Sequence, residues 1–283
     1  MFAAIDVLYS ADVFRITHFK CNCNICSISD KEYNDRFCVS LITKGFFEYR
    51  TFRRNEEAFS GRVLISKPGF EHTTRHINNQ PDITFVHEFK REFFEEIKQA
   101  YAKEAGWFLQ NNDIHALVWQ CSTEAEYQFH HIHKLLISKQ ANSLHIEELV
   151  FDLLTKVLTG IGSAPPLPDV DDKLKMIHLP TVETAKEFIL QHFKENISLQ
   201  QLAKHCHVSP FHFSRIFKTI VQVSPHQYLT NIRLQHARQL IVTSLLPVTD
   251  VAYESGFNSL EHFTTAYRQF FKVSPTTHRK QLA

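Results

Sequence analysis

The stretch FHFSRIFKTIVQVSP, Phe211 to Pro225, places Phe213, Ile216, Phe217 and Ile220 at the spacing of one helical stripe. Phe211, Ser214, Arg215 and Lys218 share a second face of the same helix at the same spacing. The first stripe is what a helix needs to seat itself on a core. The second joins a basic pair to a large aromatic, and a solvated face has no use for that aromatic. Just upstream, Ser209 followed by Pro210 predicts an N-cap with proline at the first helical position.

Outward from this helix the sequence repeats with a period of about fifty residues. Phe213, Phe217, Val223, Ser224 and Pro225 are matched by Phe263, Tyr267, Val273, Ser274 and Pro275. Leu202 and Ala203 are matched by Val251 and Ala252 once one inserted turn residue is allowed. Each copy pairs a short helix, Ser198 to Cys206 or Val248 to Ser255, with a longer one, Pro210 to Ile220 or Ser259 to Phe271. A turn of three or four residues between them is helix-turn-helix spacing. Ser198 with Gln201 predicts a capping box, and Gly256 stands where the second turn wants a left-handed residue.

SPHQYLTNIRLQHARQLIVTS, Ser224 to Ser244, lies between the copies and predicts one helix of about 30 Å at 1.5 Å per residue. That length is close to one turn of B-DNA, about 34 Å, so two recognition helices can enter successive major grooves on one face of a duplex.

In the second copy the core positions become Phe263, Ala266, Tyr267 and Phe270. The outer face becomes Glu261, Thr264, Thr265 and Arg268. A constant core with a variable outer face fits two helices that read different bases, and equally fits surface under no constraint. Chemistry favours reading for the first copy. Arg215 can donate two hydrogen bonds to guanine O6 and N7, Phe211 can press on a thymine methyl, and Lys218 lies a turn later toward phosphate. His212 and Ser214 complete the first candidate set. Glu261, Thr264, Thr265 and Arg268 form the second, with shorter reach, so specificity is expected to be shared unequally.

Residues 176 to 283 carry 11 Lys and Arg against 6 Asp and Glu, a net of +5, while residues 1 to 175 carry 20 against 24, a net of −4; the overall +1 hides the division. A basic half fits contact with a polyanion. Apolar content of 43% across 283 residues is globular and leaves room for two cores. No apolar run is long enough to cross a bilayer, and the first residues lack a basic leader region, so the chain is expected to be cytoplasmic.

TGIGSAPPLPDVDDK, Thr159 to Lys173, with three prolines and two glycines, is expected to break helix and strand and to act as the linker. The predicted domains are residues 1–160, a linker 161–175 and residues 176–283. Before the linker, EYQFHHIHKLLIS (Glu126 to Ser138) and LHIEELVFDLLTKVL (Leu144 to Leu158) predict two helices, the second apolar around most of its circumference. A partner subunit or its own domain can cover its second side. Further upstream RFCVSLI, KGFFEYRTF, RVLIS, KPGFEH and DITFVHEF alternate as strands do, followed by a helix in REFFEEIKQAYAKEAG. The fold class predicted is α+β in two domains: an N-terminal β-barrel with helices and a C-terminal all-α tandem helix-turn-helix.

The run FSRIFK (Phe213 to Lys218), the linking helix with Arg233, Ala237 and Leu240, and VAYESGFNSLEHFTTAYRQFFKVSPTTHR (Val251 to Arg279) together resemble the AraC/XylS family of bacterial transcription regulators. The resemblance spans about residues 176 to 283. It implies recognition helices in adjacent major grooves of promoter DNA, and activation by bringing RNA polymerase to the site. Gln222 and Lys272 stand where the family usually has Gly, His207 replaces the Gly of the first turn, and Thr265 stands where relatives often carry Arg. KGFFEY and GRVLISKPGFEH resemble the second motif of the family's cupin-like sensor through Gly61, Pro68, Gly69 and His72, whereas the His-x-His of the first motif is missing. The resemblance implies a small-molecule effector in the barrel and a homodimer formed through the helices that follow. His72 either lines the effector pocket or caps a strand turn.

HFKCNCNIC gathers His18, Cys21, Cys23 and Cys26, which offers a second reading as a thiol or metal sensor on the same DNA-binding domain. Buried thiols are the plainer explanation of the run, because Cys21 and Cys23 share one face of a strand and Cys26 the other, which argues against a compact site. No nucleophile–base pair, phosphate loop or complete His/carboxylate metal set is present in the sequence, so no enzymatic activity and no cofactor are expected.

Overall fold

The structure is a computed structural model that describes residues 3–22, 28–77, 80–139, 142–163 and 170–282. The chain divides into two compact units, Met1–Pro180 and Thr181–Ala283. The division falls inside a helix that runs through Pro180.

The first unit is built on strands β1 (Ala3–Ser10), β2 (Phe14–Cys21), β3 (Glu32–Asn34), β4 (Phe37–Lys44), β5 (Phe46–Thr51), β6 (Asn55–Phe59), β7 (Arg62–Ser66), β8 (Phe70–His76), β9 (Ile83–Phe89) and β10 (Ala116–Gln120). Its helices are α1 (Arg91–Ala100), α2 (Ala102–Leu109), α3 (Thr123–Ser138), α4 (Ser143–Ser163) and the first half of α5 (Asp172–His192). One antiparallel sheet runs β1, β2, β9, β4, β7, β10 and a second runs β3, β8, β5, β6. Ile42, Leu64, Ala116 and Val118 of the first sheet pack on Phe47, Tyr49 and Ala58 of the second, forming the barrel interior. The opposite face of the first sheet, with Phe14, Ile16, Phe37, Val39, Leu41, Phe85 and Phe89, carries the main core under α1 to α4. Strand alternation makes this division: odd-numbered Phe37, Val39 and Leu41 face the helices while Ser40 and Ile42 face the barrel.

Three features depart from the expectations above. The predicted single helix over REFFEEIKQAYAKEAG is broken at Tyr101, which ends α1 at φ −112° and ψ 26° and starts α2. Secondly, α4 continues through the glycines read as breakers, to Ser163, and α5 begins at Asp172. A Cβ on Gly160 would meet the Trp119 ring, and one on Gly162 would overlap the Glu104 carbonyl oxygen, so these glycines admit close packing of a helix that tertiary burial sustains. Thirdly, α4 is not buried all round: Ile146, Val150, Leu153, Leu154, Val157, Leu158 and Ile161 lie in the core, whereas Leu144 is exposed.

In the second unit the end of α5 is followed by α6 (Leu199–His205), α7 (Pro210–Val221), α8 (Pro225–Thr243), α9 (Val248–Glu254), α10 (Leu260–Phe271) and α11 (Pro275–Leu282). Serine caps open four of these helices, those at Ser198 and Ser209 where the sequence put them. Ser198 accepts from Gln201 N within a full capping box, Ser209 from His212 N, Ser224 from Gln227 N and Ser259 from His262 N. The unbroken α8 is about 28 Å long at 1.5 Å per residue. Both helix-turn-helix pairs pack on it: Phe217 meets Tyr228 at 5.6 Å between ring centroids, and Leu234, Ala237 and Ile241 join Val251, Ala252, Phe257, Phe263 and Tyr267 in one cluster. Arg233 on α8 donates to the Phe193 and Glu195 carbonyls, 2.7 Å each, tying the helix to the end of α5.

Among the described residues no helix is long and apolar enough to cross a membrane.

Candidate nucleic-acid interface

The α7 helix is positioned by its buried stripe. Phe213 and Phe217 are 0% exposed, Ile216 and Ile220 nearly so. Fixing that stripe fixes where the other face points. Phe211 is 81% exposed, Arg215 and Lys218 are exposed, and His212 and Ser214 are half-buried at its margin. Leaving an aromatic ring in water forgoes about 2 kcal/mol of burial, and nothing in the fold of this unit requires it. Among the described residues Arg215, Lys218 and Arg268 make no ion pair with a protein carboxylate, so their charge is available to an anion.

On α10, Phe263 and Tyr267 take the buried places of Phe213 and Phe217, both at 0% exposure. Phe270, predicted as core by the repeat, is 36% exposed; the neighbouring Phe271 packs on Tyr267 instead, at 4.5 Å between ring centroids. The reason is α11, which the repeat register did not include: its His278 accepts or donates at 2.8 Å to the Tyr267 hydroxyl and stands 6.0 Å from the Phe271 ring. Glu261, Thr265 and Arg268 are exposed and Thr264 is half-buried, its hydroxyl donating to the Leu260 carbonyl. The eight outward positions and His212 are therefore on the faces the spacing assigned, with α7 carrying the longer side chains.

The turns show why the departures from glycine are tolerated. His207, Gln222 and Lys272 sit at φ of 57°, 68° and 63°, in the left-handed region, and Gly256 at 83°. The three side-chain-bearing residues each carry about 1 kcal/mol of strain there. Gly256 has no such freedom, since a Cβ would lie 2.7 Å from the Phe193 carbonyl oxygen and 2.9 Å from Arg233 Nε.

In the first unit, Gly61 and Gly69 occupy turns at φ 85° and 99°, and His72 lies on β8 with its ring stacked on Tyr49 at 4.4 Å. Burial pushes the His72 imidazole down to about 4, and its Nδ1 is buried without a partner. His18 and Cys21, neighbours in the sequence run, part company: His18 turns under α3, 4.9 Å from the His133 ring, while Cys21 is buried beside Asp82. Cys23 and Cys26 lie outside the described residues. Sequence reading missed Arg62 and His87, both buried, and the half-buried His133, whose buried ring or guanidinium nitrogens meet no protein partner. Burial lowers His87 to about 3, with His133 adding to the effect, and lowers His133 to about 4. No local pattern marks these residues, because only the pairing of β2 with β9 and the packing of α3 brings His18, His87 and His133 together.

Two helix-turn-helix pairs on a shared central helix, each exposing a recognition face that retains unpaired cations, define a tandem helix-turn-helix DNA-binding domain. Residues 202–281 match the family model described as a helix-turn-helix domain. The regulatory protein PocR of Salmonella typhimurium is 23% identical over 58% of this chain and 56% of its own length. The transcriptional regulator ArgR of Pseudomonas aeruginosa is 32% identical over 36% of this chain and 31% of its own. A solved transcriptional regulator from Chromobacterium violaceum, described as having an AraC-type DNA-binding domain, is 29% identical over 37% of this chain and 93% of that one, with a TM-score of 0.35. The chain thus spans about half or less of the length of these curated relatives. Its C-terminal region is a helix-turn-helix domain of the AraC type, similar to those of these transcriptional regulators.

Proposed function

We propose that the chain is a sequence-specific transcriptional activator in which residues 176–283 bind double-stranded promoter DNA and residues 1–160 sense a small effector and form a homodimer. The observation that carries the DNA reading is the exposed Phe211 beside Arg215 on a helix locked by its opposite face. Arg215 reads a guanine, Phe211 contacts a thymine methyl or sugar edge, and His212, Ser214 and Lys218 position the helix. Glu261, Thr264, Thr265 and Arg268 enter the next groove and contribute more to phosphate contact than to base choice. Bound at a promoter, the domain recruits RNA polymerase.

The effector reading rests on unsatisfied polarity. Arg62 Nε and Nη1 and His72 Nδ1 are buried with no protein partner, and such groups are ordinarily satisfied. A polar ligand or ordered water supplies the missing bonds, with His72 at the ligand. Exposed Ile137 and Leu144, at the facing ends of α3 and α4, support a subunit contact there.

Footprinting on a selected operator tests the DNA reading. Arg215→Ala is expected to relax one base position at a cost of roughly 1–3 kcal/mol, while Lys218→Ala weakens all sequences alike and lowers the salt slope by about one. Equal weakening on every sequence by both variants would remove Arg215 from base recognition.

A further inference from the structure

We propose that the barrel of the first unit holds a divalent, thiophilic metal ion, Zn(II) by its chemistry, between Cys21, His76 and Asp82. One ligand atom of each of these residues lies within 4.8 Å of the others, and all three residues are buried, at 6%, 6% and 4% exposure. The cluster joins the two sheets: Cys21 ends β2, Asp82 immediately precedes β9 in the same sheet, and His76 ends β8 in the other. None of the three belongs to the cupin-like motif that ends at His72.

The backbone brings the ligands together. Cys21 N donates to the Asp82 carbonyl oxygen at 3.0 Å. Gly45 lets Asp82 come in so far that a Cβ there would stand 2.8 Å from Asp82 Cα. Around the carboxylate, His76 Nε2 lies 2.5 Å from Oδ1 and Thr84 donates to Oδ2 at 2.9 Å. A tetrahedral zinc site separates such ligand atoms by about 3.4–3.6 Å, given bonds of about 2.0–2.3 Å. The change required is therefore about 1 Å: the His76–Asp82 contact opens and the remaining separations contract. Thr84 stays as the partner that orients the carboxylate.

Softness and charge select the ion. Thiolate and imidazole together disfavour calcium and magnesium, which take oxygen, and suit zinc. Binding exchanges the Cys21 thiol proton for the ion and leaves the His76 ring proton on the nitrogen that does not ligate. The divalent ion, one thiolate and one carboxylate then sum to zero, which is how a fully buried site avoids the cost of an uncompensated charge. Three protein ligands leave a fourth position for water or for a donor atom of a ligand entering the barrel. The site clamps the β2 and β9 ends of one sheet to the β8 end of the other and does not depend on the DNA-binding reading.

The test is metal binding by the full chain after chelator treatment. Cobalt(II) at one equivalent is expected to give tetrahedral d–d bands with a thiolate-to-metal absorption, displaced by Zn(II). The spectrum should survive in the Cys23→Ser/Cys26→Ser variant and weaken by more than about tenfold in affinity in His76→Gln. X-ray absorption of the unsubstituted zinc form, which needs no variant to fold, should report one sulphur and otherwise nitrogen or oxygen neighbours. Two or more sulphurs, loss of binding with Cys23 and Cys26, an unchanged His76→Gln titration, or no cobalt spectrum at all each overturns the assignment.

Discussion

The two turns of the tandem repeat make opposite predictions for exchanging glycine with a side chain. At Gly256, φ is 83° and a Cβ would press on the Phe193 carbonyl oxygen, Lys194 Cα and Arg233 Nε at 2.7 to 2.9 Å. Gly256→Ala therefore adds about 1 kcal/mol of left-handed strain. It also displaces Arg233, whose two 2.7 Å bonds to Phe193 and Glu195 are worth about 1 kcal/mol each. The sum is about 3 kcal/mol. At His207, φ is 57° with the side chain already in place, and His207→Gly relieves about 1 kcal/mol of strain, less a few tenths for the freer unfolded chain. Both tryptophans, Trp107 and Trp119, lie in the first unit, so their fluorescence does not report on these turns. Hydrogen exchange read by mass spectrometry does. Amides of α9 and α10 should exchange about 100-fold faster in Gly256→Ala, since each 1.4 kcal/mol is tenfold, and those of α6 and α7 should slow in His207→Gly. Exchange in Gly256→Ala within about threefold of the unsubstituted chain, a difference under 1 kcal/mol, would refute the account of this turn.

Acid should destabilise the first unit through His87. Its folded pKa is lowered to about 3 by burial, below the ordinary 6.5, so below about pH 6.5 the unfolded chain binds a proton that the folded chain refuses, and stability falls by about 1.4 kcal/mol per pH unit. Between pH 7 and pH 5 the loss from this residue is about 2 kcal/mol, seen in urea unfolding followed by tryptophan fluorescence and flattened in His87→Gln; an unchanged slope in that variant would assign the acid sensitivity elsewhere. Gly160→Ala should overpack α4 against Trp119 at a cost of about 1–3 kcal/mol and shift the Trp119 emission, whereas an unperturbed spectrum would mean the helix moves aside freely.

The second unit was legible because its signals are local. Four serine caps, two apolar stripes and a fifty-residue repeat each specify structure within a few residues of themselves, and the repeat checks one copy against the other. The outward faces of α7 and α10 followed from the same period. Phe270 was misplaced because its environment depends on α11, beyond the repeated core positions. The first unit was less legible. β2 and β10 were not anticipated, since β2 pairs with the distant β9 and β10 with the distant β7, and β1 was missed with β2, the adjacent strand it pairs with. Gly160 and Gly162 carry the composition of a breaker, yet a surrounding core keeps them helical. Cys21 lies far along the chain from His76 and Asp82, and only the pairing of β2 with β9 and the facing of two sheets brings the three together.

The unbroken α8 has a further meaning for any duplex the protein reads. Adding one base pair between two contacted segments turns one against the other by about 35° and moves it about 3.4 Å. A helix whose hydrogen bonds are all intact cannot lengthen or unwind to follow. Operators should therefore drift by base substitution, which costs one contact, and resist insertion, which throws an entire half-site out of phase.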